Sequence, residues 1–173
     1  AKELGLHPYG ISFHVGSQQR NISEWDNFLM LTKNIFGQAT QQGINLEAID
    51  IGGGFPAHYI HPTPSIQEYA NGVKLYLKKH FKEMPEIIVE PGRSITGDSG
   101  VIVSEVVNVT KKSSHDITRW VYLDIGKFGG LIETLEESLK YPIFVDRYID
   151  NPNTETGEVF LAGPTCDSYD IMY

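Results

Sequence analysis

The chain has 173 residues, 40% of them hydrophobic, enough to bury one sizeable core or two modest ones. Its 22 acidic residues against 14 basic ones give a net charge of −8, and no Lys/Arg run exceeds Lys111-Lys112, which argues against nucleic acid as a partner. The apolar stretches are strand-sized, so neither a membrane span nor a signal peptide is expected, and the single cysteine, Cys166, leaves no internal disulfide and fits a reducing cytoplasm.

Residues 1–8 read as the end of a helix and a turn, with Gly5 and Pro8 as stops. Ile11, Phe13 and Val15 alternate with Ser12 and His14, predicting a first strand over 10–15 that ends in Gly16-Ser17. Ser23 with Asp26 has the form of a capping box. Trp25, Phe28, Leu31, Ile35, Phe36 and Ala39 predict the apolar face of a helix that Gly43 closes. An apolar run over 46–51 predicts a second strand, breaking into Gly52-Gly53-Gly54-Phe55-Pro56. The following loop holds His58 and His61, whose spacing suits a metal only on a helix that Pro62 and Pro64 exclude, so both read as solvated. Ser65 and Glu68 form another capping box, and Ile66, Tyr69, Val73, Tyr76, Leu77 and Phe81 line one face of a second helix, closed by Pro85. Ile87-Ile88-Val89 predicts a third strand, which delivers Glu90 to its C-terminal end before Pro91, Gly92 and Arg93.

His14 and Gly52 lie 38 positions apart, as do Gly52 and Glu90. Equal spacing with a helical stretch in each interval is the mark of a repeated strand and helix unit. Three glycine-bearing bends would then open on one rim of a parallel sheet or barrel, where such folds place their ligands. A carboxylate, a sharp turn and a guanidinium at a strand mouth suit a zwitterionic cofactor, because glycine lets the backbone approach and arginine's planar fork matches phosphate or carboxylate. Taken singly, each feature has a plainer meaning: Glu90 and Arg93 as a surface pair, Ser17 as a helix cap, Gly52 to Gly54 as a tight turn, Cys166 as inert packing.

Beyond Gly100 the texture changes. Val101, Val103, Val107 and Val109 alternate with partly polar neighbours, and residues 120–125 and 158–162 read as further strands, predicting a largely antiparallel β region that begins near residue 98, after a first domain over 1–97. Between these strands, 126–140 holds two glycine turns and then Glu133, Glu136 and Glu137, by default a solvated acidic face. The last stretch is Gly163-Pro164-Thr165-Cys166-Asp167-Ser168-Tyr169-Asp170-Ile171-Met172-Tyr173, and both ends of the chain are expected to fall inside domains.

Phe13-His14-Val15-Gly16-Ser17, Asp50-Ile51-Gly52-Gly53-Gly54-Phe55-Pro56, Glu90-Pro91-Gly92-Arg93 and Gly163-Pro164-Thr165-Cys166-Asp167 together resemble the pyridoxal-phosphate decarboxylases of the alanine-racemase-like fold, which act on ornithine, lysine, arginine or diaminopimelate. Thr165-Cys166-Asp167 and Phe55-Pro56 look more like the ornithine and lysine enzymes. Gln18 and Ser94-Ile95-Thr96-Gly97 lean towards the diaminopimelate branch. The resemblance implies an α/β fold, the C-terminal part of a (β/α)8 barrel of the TIM type followed by part of a β domain, and pyridoxal 5'-phosphate as cofactor. It implies His14 stacked on the cofactor ring, Ser17, Gly53, Gly54, Gly92 and Arg93 as a phosphate cradle, and Glu90 at the pyridine nitrogen. It implies Cys166 as the acid that returns a proton to the α-carbon, Asp167 as a contact to the substrate's distal ammonium, and Glu137 in the place of a substrate-binding aspartate of the ornithine enzymes, with Glu133 or Glu136 in its stead under a different alignment. It further implies a homodimer with shared active sites. The family's Schiff-base lysine, in an alanine-x-lysine setting, and its later phosphate-contacting tyrosine have no match here, so the chain is expected to be an internal piece of a decarboxylase, inactive alone. Three other readings compete. A racemase of the same fold conflicts with the Gly-Pro-Thr-Cys-Asp stretch. A dinucleotide-binding loop on Gly52, Gly54 and Ala57 conflicts with Pro56, Pro62 and Pro64. The third is a non-catalytic antizyme-inhibitor-like relative.

Overall fold

A computed structural model describes residues 1–173, apart from the side chain of Tyr148. The chain divides into two compact units, Ala1–Gly100 and Val101–Tyr173.

The first unit opens with a 3-10 turn, Lys2–Leu4, which ends at Gly5 in the left-handed region, as Gly5 was expected to do. It then alternates strand and helix: β1 (Gly10–Ser12), α1 (Glu24–Gln41), β2 (Ala48–Asp50), α2 (Ile66–His80), β3 (Glu86–Ile88) and the short α3 (Gly92–Thr96). The strands form a parallel sheet in the order β1-β2-β3, with Gly10, Ala48 and Glu86 side by side, then Ile11, Ile49 and Ile87, then Ser12, Asp50 and Ile88. Each step across the sheet is the 38-residue interval seen in the sequence. Parallel neighbours need a long crossover, and α1 and α2 supply it. The core gathers Trp25, Leu29, Ile49, Ile51, Phe55, Tyr69, Val73, Leu77 and Phe81.

Two helical expectations need correction. The buried positions of α1 are Trp25, Leu29 and Thr32, with Phe36 packed beside them, whereas Leu31 and Ile35 are 55% and 47% exposed. Positions 25, 29, 32 and 36 follow the i, i+4, i+7, i+11 row of one helical face, and 31 and 35 belong to the row beside it. Nor does Ser23 form a capping box. Its hydroxyl donates to Asn21 Oδ1 at 2.8 Å, and the Asp26 carboxylate is drawn across to α2, accepting from Lys79 Nζ at 2.7 Å and meeting His80 Nε2 at 2.6 Å. The bonds from Lys79 and His80 hold the Asp26 carboxyl below its ordinary value of 3.8. The Ser65 box does form: Glu68 N donates to Ser65 Oγ at 3.3 Å, and Ser65 N to Glu68 Oε2 at 2.9 Å.

The second unit holds β4 (Val106–Thr110), β5 (Arg119–Leu123), 3-10 turns over Lys127–Gly129 and Ile132–Glu137, α4 (Asp146–Asp150) and β6 (Val159–Ala162). Its sheet runs β4-β5-β6 and is mixed rather than largely antiparallel: β4 and β5 are antiparallel, but β5 and β6 are parallel, with Trp120 beside Phe160. The excursion over 124–158 is long enough to return the chain in either direction, a freedom a tight hairpin does not allow. No helix among the described residues is long and apolar enough to cross a membrane.

Candidate cofactor and substrate site

The strand ends of the first unit carry the three bends to one rim. The parallel ladder continues past the strands: Phe13 N donates to Asp50 O and Ile51 N to Ile88 O, each at 3.0 Å, and Glu90 N donates to Gly52 O at 2.9 Å. His14, Gly52 to Gly54 and Glu90 therefore leave the sheet together, on its C-terminal side.

Gly53 lies at the centre of this group. A Cβ built there would sit 2.9 Å from Glu90 O and 3.1 Å from His14 Nε2, so the imidazole and the Glu90 main chain both close on that position. Gly52 (φ +65) and Gly54 (φ +93) take left-handed conformations, and a side chain on Gly54 would collide with Gly16 O and Val15. The imidazole is oriented by its own bend, since Gly16 N donates to His14 Nδ1 at 2.9 Å. An accepting Nδ1 places the neutral ring's proton on Nε2, the nitrogen nearest Gly53. Glu90 is exposed, and Arg93 is half-buried in the first turn of α3, its carbonyl accepting from Gly97 N at 2.7 Å. Gly92 faces open space, where a Cβ would meet nothing within 4 Å, and its N–H donates to Glu90 O at 2.9 Å. Ser17 is exposed on the loop after Gly16. His14, Gly53, Gly54 and Glu90 are thus brought together, with Ser17, Gly92 and Arg93 on the adjoining turns.

Within the second unit, Cys166 and Asp167 are exposed on a turn between β6 and the closing segment. Asp167 Oδ1 accepts from Tyr169 N at 2.9 Å. Glu137 lies at the end of a kinked 3-10 turn, where Glu136 and Glu137 both have positive φ (55° and 53°), and it pairs with Lys140 Nζ at 2.9 Å, which raises the Lys140 ammonium above its ordinary value.

Residue reading alone overlooked Asp170. It is 2% exposed, and its carboxylate accepts from Lys127 N at 2.7 Å, Thr165 N at 3.2 Å and Thr165 Oγ1 at 2.8 Å. Gly126 and Gly163 press against it so closely that a Cβ at either would overlap the carboxylate. One buried carboxyl group, accepting from donors on two segments, ties the glycine turns at 126 to the loop carrying Cys166. No local signal marks it, because the contact joins Asp170 to Lys127, 43 positions away.

The family model for the pyridoxal binding domain of pyridoxal-dependent decarboxylases matches residues 1–97. A lysine/ornithine decarboxylase of Selenomonas ruminantium is 28% identical, over all of this chain and 42% of its own length. The diaminopimelate decarboxylase of Staphylococcus aureus is 31% identical, over 94% of this chain and 38% of its own. Among solved structures, the lysine/ornithine decarboxylase of Vibrio vulnificus complexed with cadaverine superposes with a TM-score of 0.75 at 28% identity, covering 99% of this chain and 45% of that one. The chain thus spans about two fifths of the length of these curated relatives.

The rim fits the cofactor this family implies. At Gly53 the His14 imidazole and the Glu90 carbonyl close on the backbone, and the bends of this rim carry the acid Glu90 and the base Arg93, the residue types that a flat, protonatable ring with an anionic tail requires. On the match across 1–97, supported by the α/β arrangement of strands and helices, the chain belongs to the pyridoxal-dependent decarboxylase family.

Proposed function

We propose that the protein bearing this chain is a carboxy-lyase that uses pyridoxal 5'-phosphate to decarboxylate L-ornithine, L-lysine or both, leaving putrescine or cadaverine for polyamine biosynthesis. The observation that carries this reading is the meeting of His14, Gly53 and Glu90 at one sheet rim, inside the segment that matches the family's pyridoxal binding domain. In this reading residues 1–97 are the last part of a (β/α)8 barrel and 98–173 part of a β domain.

When bound, the cofactor supplies an electron sink for the pair left on the α-carbon as carbon dioxide departs. The chain's own residues do the rest. His14 covers one face of the ring, and its orientation is set by the Gly16 N–H. Ser17, Gly53, Gly54, Gly92 and Arg93 hold the phosphate. Glu90 keeps a proton at the ring nitrogen, which an uncharged residue would do poorly. Cys166 returns a proton to the α-carbon, and Asp167 receives the distal ammonium. Glu137, now engaged by Lys140, would exchange that ammonium for the substrate's. The sites are shared across a cytoplasmic homodimer.

A second reading, diaminopimelate decarboxylase, is favoured by Gln18 after Ser17, by Ser94-Ile95-Thr96-Gly97, and by the 31% identity to the staphylococcal enzyme. The test is carbon dioxide release by the full-length protein from ornithine, lysine and meso-diaminopimelate. Release from a diamino acid with one carboxyl group supports the first reading, and release from meso-diaminopimelate alone supports the second. Release from none overturns both.

A further inference from the structure

Gln18 stands out in the first unit as a residue without glycine's freedom placed in glycine's conformation: its φ is +54°, in the left-handed region that few non-glycine residues occupy. Such backbone persists where surrounding contacts over-determine it, and here both ends of the side-chain amide are engaged. Gln18 Nε2 donates to Ala57 O at 2.6 Å, and Ala57 N donates back to Gln18 Oε1 at 3.1 Å. This is a reciprocal amide pair, as in a short piece of sheet, made by a side chain with the main chain of a buried residue 39 positions away.

The neighbouring residue repeats the tie. Gln19 N donates to Gly54 O at 2.9 Å, and Gln19 O accepts from the Tyr69 hydroxyl at 2.6 Å. Tyr69 is 1% exposed and takes a hydrogen bond from Trp25 Nε1 at 2.9 Å, so α1, α2 and the loop share one network. The loop after β1 and the glycine bend after β2 are thereby laced together on the C-terminal side of Ser17 and of Gly54.

We propose that Gln18 is a positioning residue for phosphate recognition: it fixes the spacing between the Ser17 bend and the Gly53-Gly54 bend before any ligand arrives. The inference rests on the pyridoxal phosphate reading above. Its own amide is committed to Ala57, so it acts through the bends it joins. A phosphate held by both bends at once depends on that spacing, because a cradle that must be ordered on binding holds its ligand less tightly. A ligand that keeps the aldehyde ring but lacks the phosphate does not span the two bends and is indifferent to it.

The experiment compares the affinities of pyridoxal phosphate and pyridoxal for the full-length apo-protein by absorbance titration, in wild type, Gln18→Ala, Gln18→Glu and Tyr69→Phe. Thermal melts establish that each variant is folded. Gln18→Ala is expected to lower the preference for the phosphorylated ligand roughly tenfold, the loss of one good tie. Gln18→Glu, which accepts from Ala57 N but has nothing to donate to Ala57 O, is expected to lose most of that preference as well and serves if the alanine variant does not fold. Tyr69→Phe, which removes the Gln19 tie and the acceptor of Trp25 Nε1 but leaves the Gln18–Ala57 pair in place, is expected to shift it in the same direction by less. A preference unchanged in Gln18→Ala and Gln18→Glu, or a proportional fall in both affinities, overturns the proposal, since a strut of purely structural value weakens both ligands alike. If the wild type itself shows no preference, the cofactor reading has failed and this inference falls with it; a wild-type preference that survives in the variants removes the inference alone.

Discussion

At Gly53 the His14 imidazole and the Glu90 carbonyl together leave no room for a methyl group. Gly53→Ala is therefore expected to displace the His14 ring and weaken cofactor binding about tenfold or more, measured by the same titration. Glu90, whose side chain is exposed, differs in kind under the proposed function, which gives its carboxylate the electronic state of the ring rather than its retention. Glu90→Ala is expected to lower kcat about a hundredfold or more while cofactor affinity changes by only a few-fold. Equal losses in both would make Glu90 an anchor. In the second unit, Asp170→Ala strips the acceptor from Lys127 N, which is buried, and from Thr165 N and Thr165 Oγ1, which water can reach. A buried donor left without its acceptor costs about 1–3 kcal/mol, so a loss of about that size in denaturant unfolding of the second unit is expected. A midpoint that does not move would mean that the Cys166 loop is held some other way.

Two serines that look alike in the text part company as helix caps. Ser65 makes both bonds of its capping box, and Ser65→Ala is expected to cost about 1 kcal/mol in chemical denaturation. The Ser23 side chain makes no bond to its helix, and Ser23→Ala is expected to cost only a few tenths of that, with urea melts reading the contrast. Asp26, the other half of the expected box, links α1 to α2 through Lys79 and His80 instead. Because its carboxyl is depressed in the folded state, it contributes stability above the ordinary value of 3.8, and that contribution is lost as pH falls below 3.8 through the folded value. The gap in urea midpoint between wild type and Asp26→Asn is expected to hold steady towards neutral pH and to close on acidification below that value. A gap that persists in strong acid would mean the link is packing, not charge.

Over the whole molecule, the second unit leaves large aliphatic side chains in water: Val101, Val103 and Ile117 are each more than 90% exposed, with Val107 at 63%. Large apolar side chains left in water favour association, so the 173-residue chain is expected to self-associate as its concentration rises, as sedimentation velocity would reveal. A monomer at every concentration would contradict this. The same polypeptide alone is expected to release no carbon dioxide from ornithine or lysine, because it has no lysine in the family's Schiff-base setting.

The sequence by itself determined what is local or periodic. Strand and helix order, the Ser65 cap and the three bends 38 residues apart follow from side-chain alternation, capping chemistry and glycine, all of which act over a few neighbouring residues. The family resemblance was equally legible, because short motifs in a given order survive without knowledge of contacts. Tertiary structure alone decided which row of α1 faces inward, that β6 joins β5 in parallel, that Asp26 serves α2 rather than its own helix, and that Gln18 and Asp170 are ties rather than loop residues. Each depends on a partner across the fold: Ala57 lies 39 positions from Gln18, and Lys127 lies 43 from Asp170. The energy of a buried hydrogen bond is set by which group is opposite and how little water is between, and neither is written in the order of the residues.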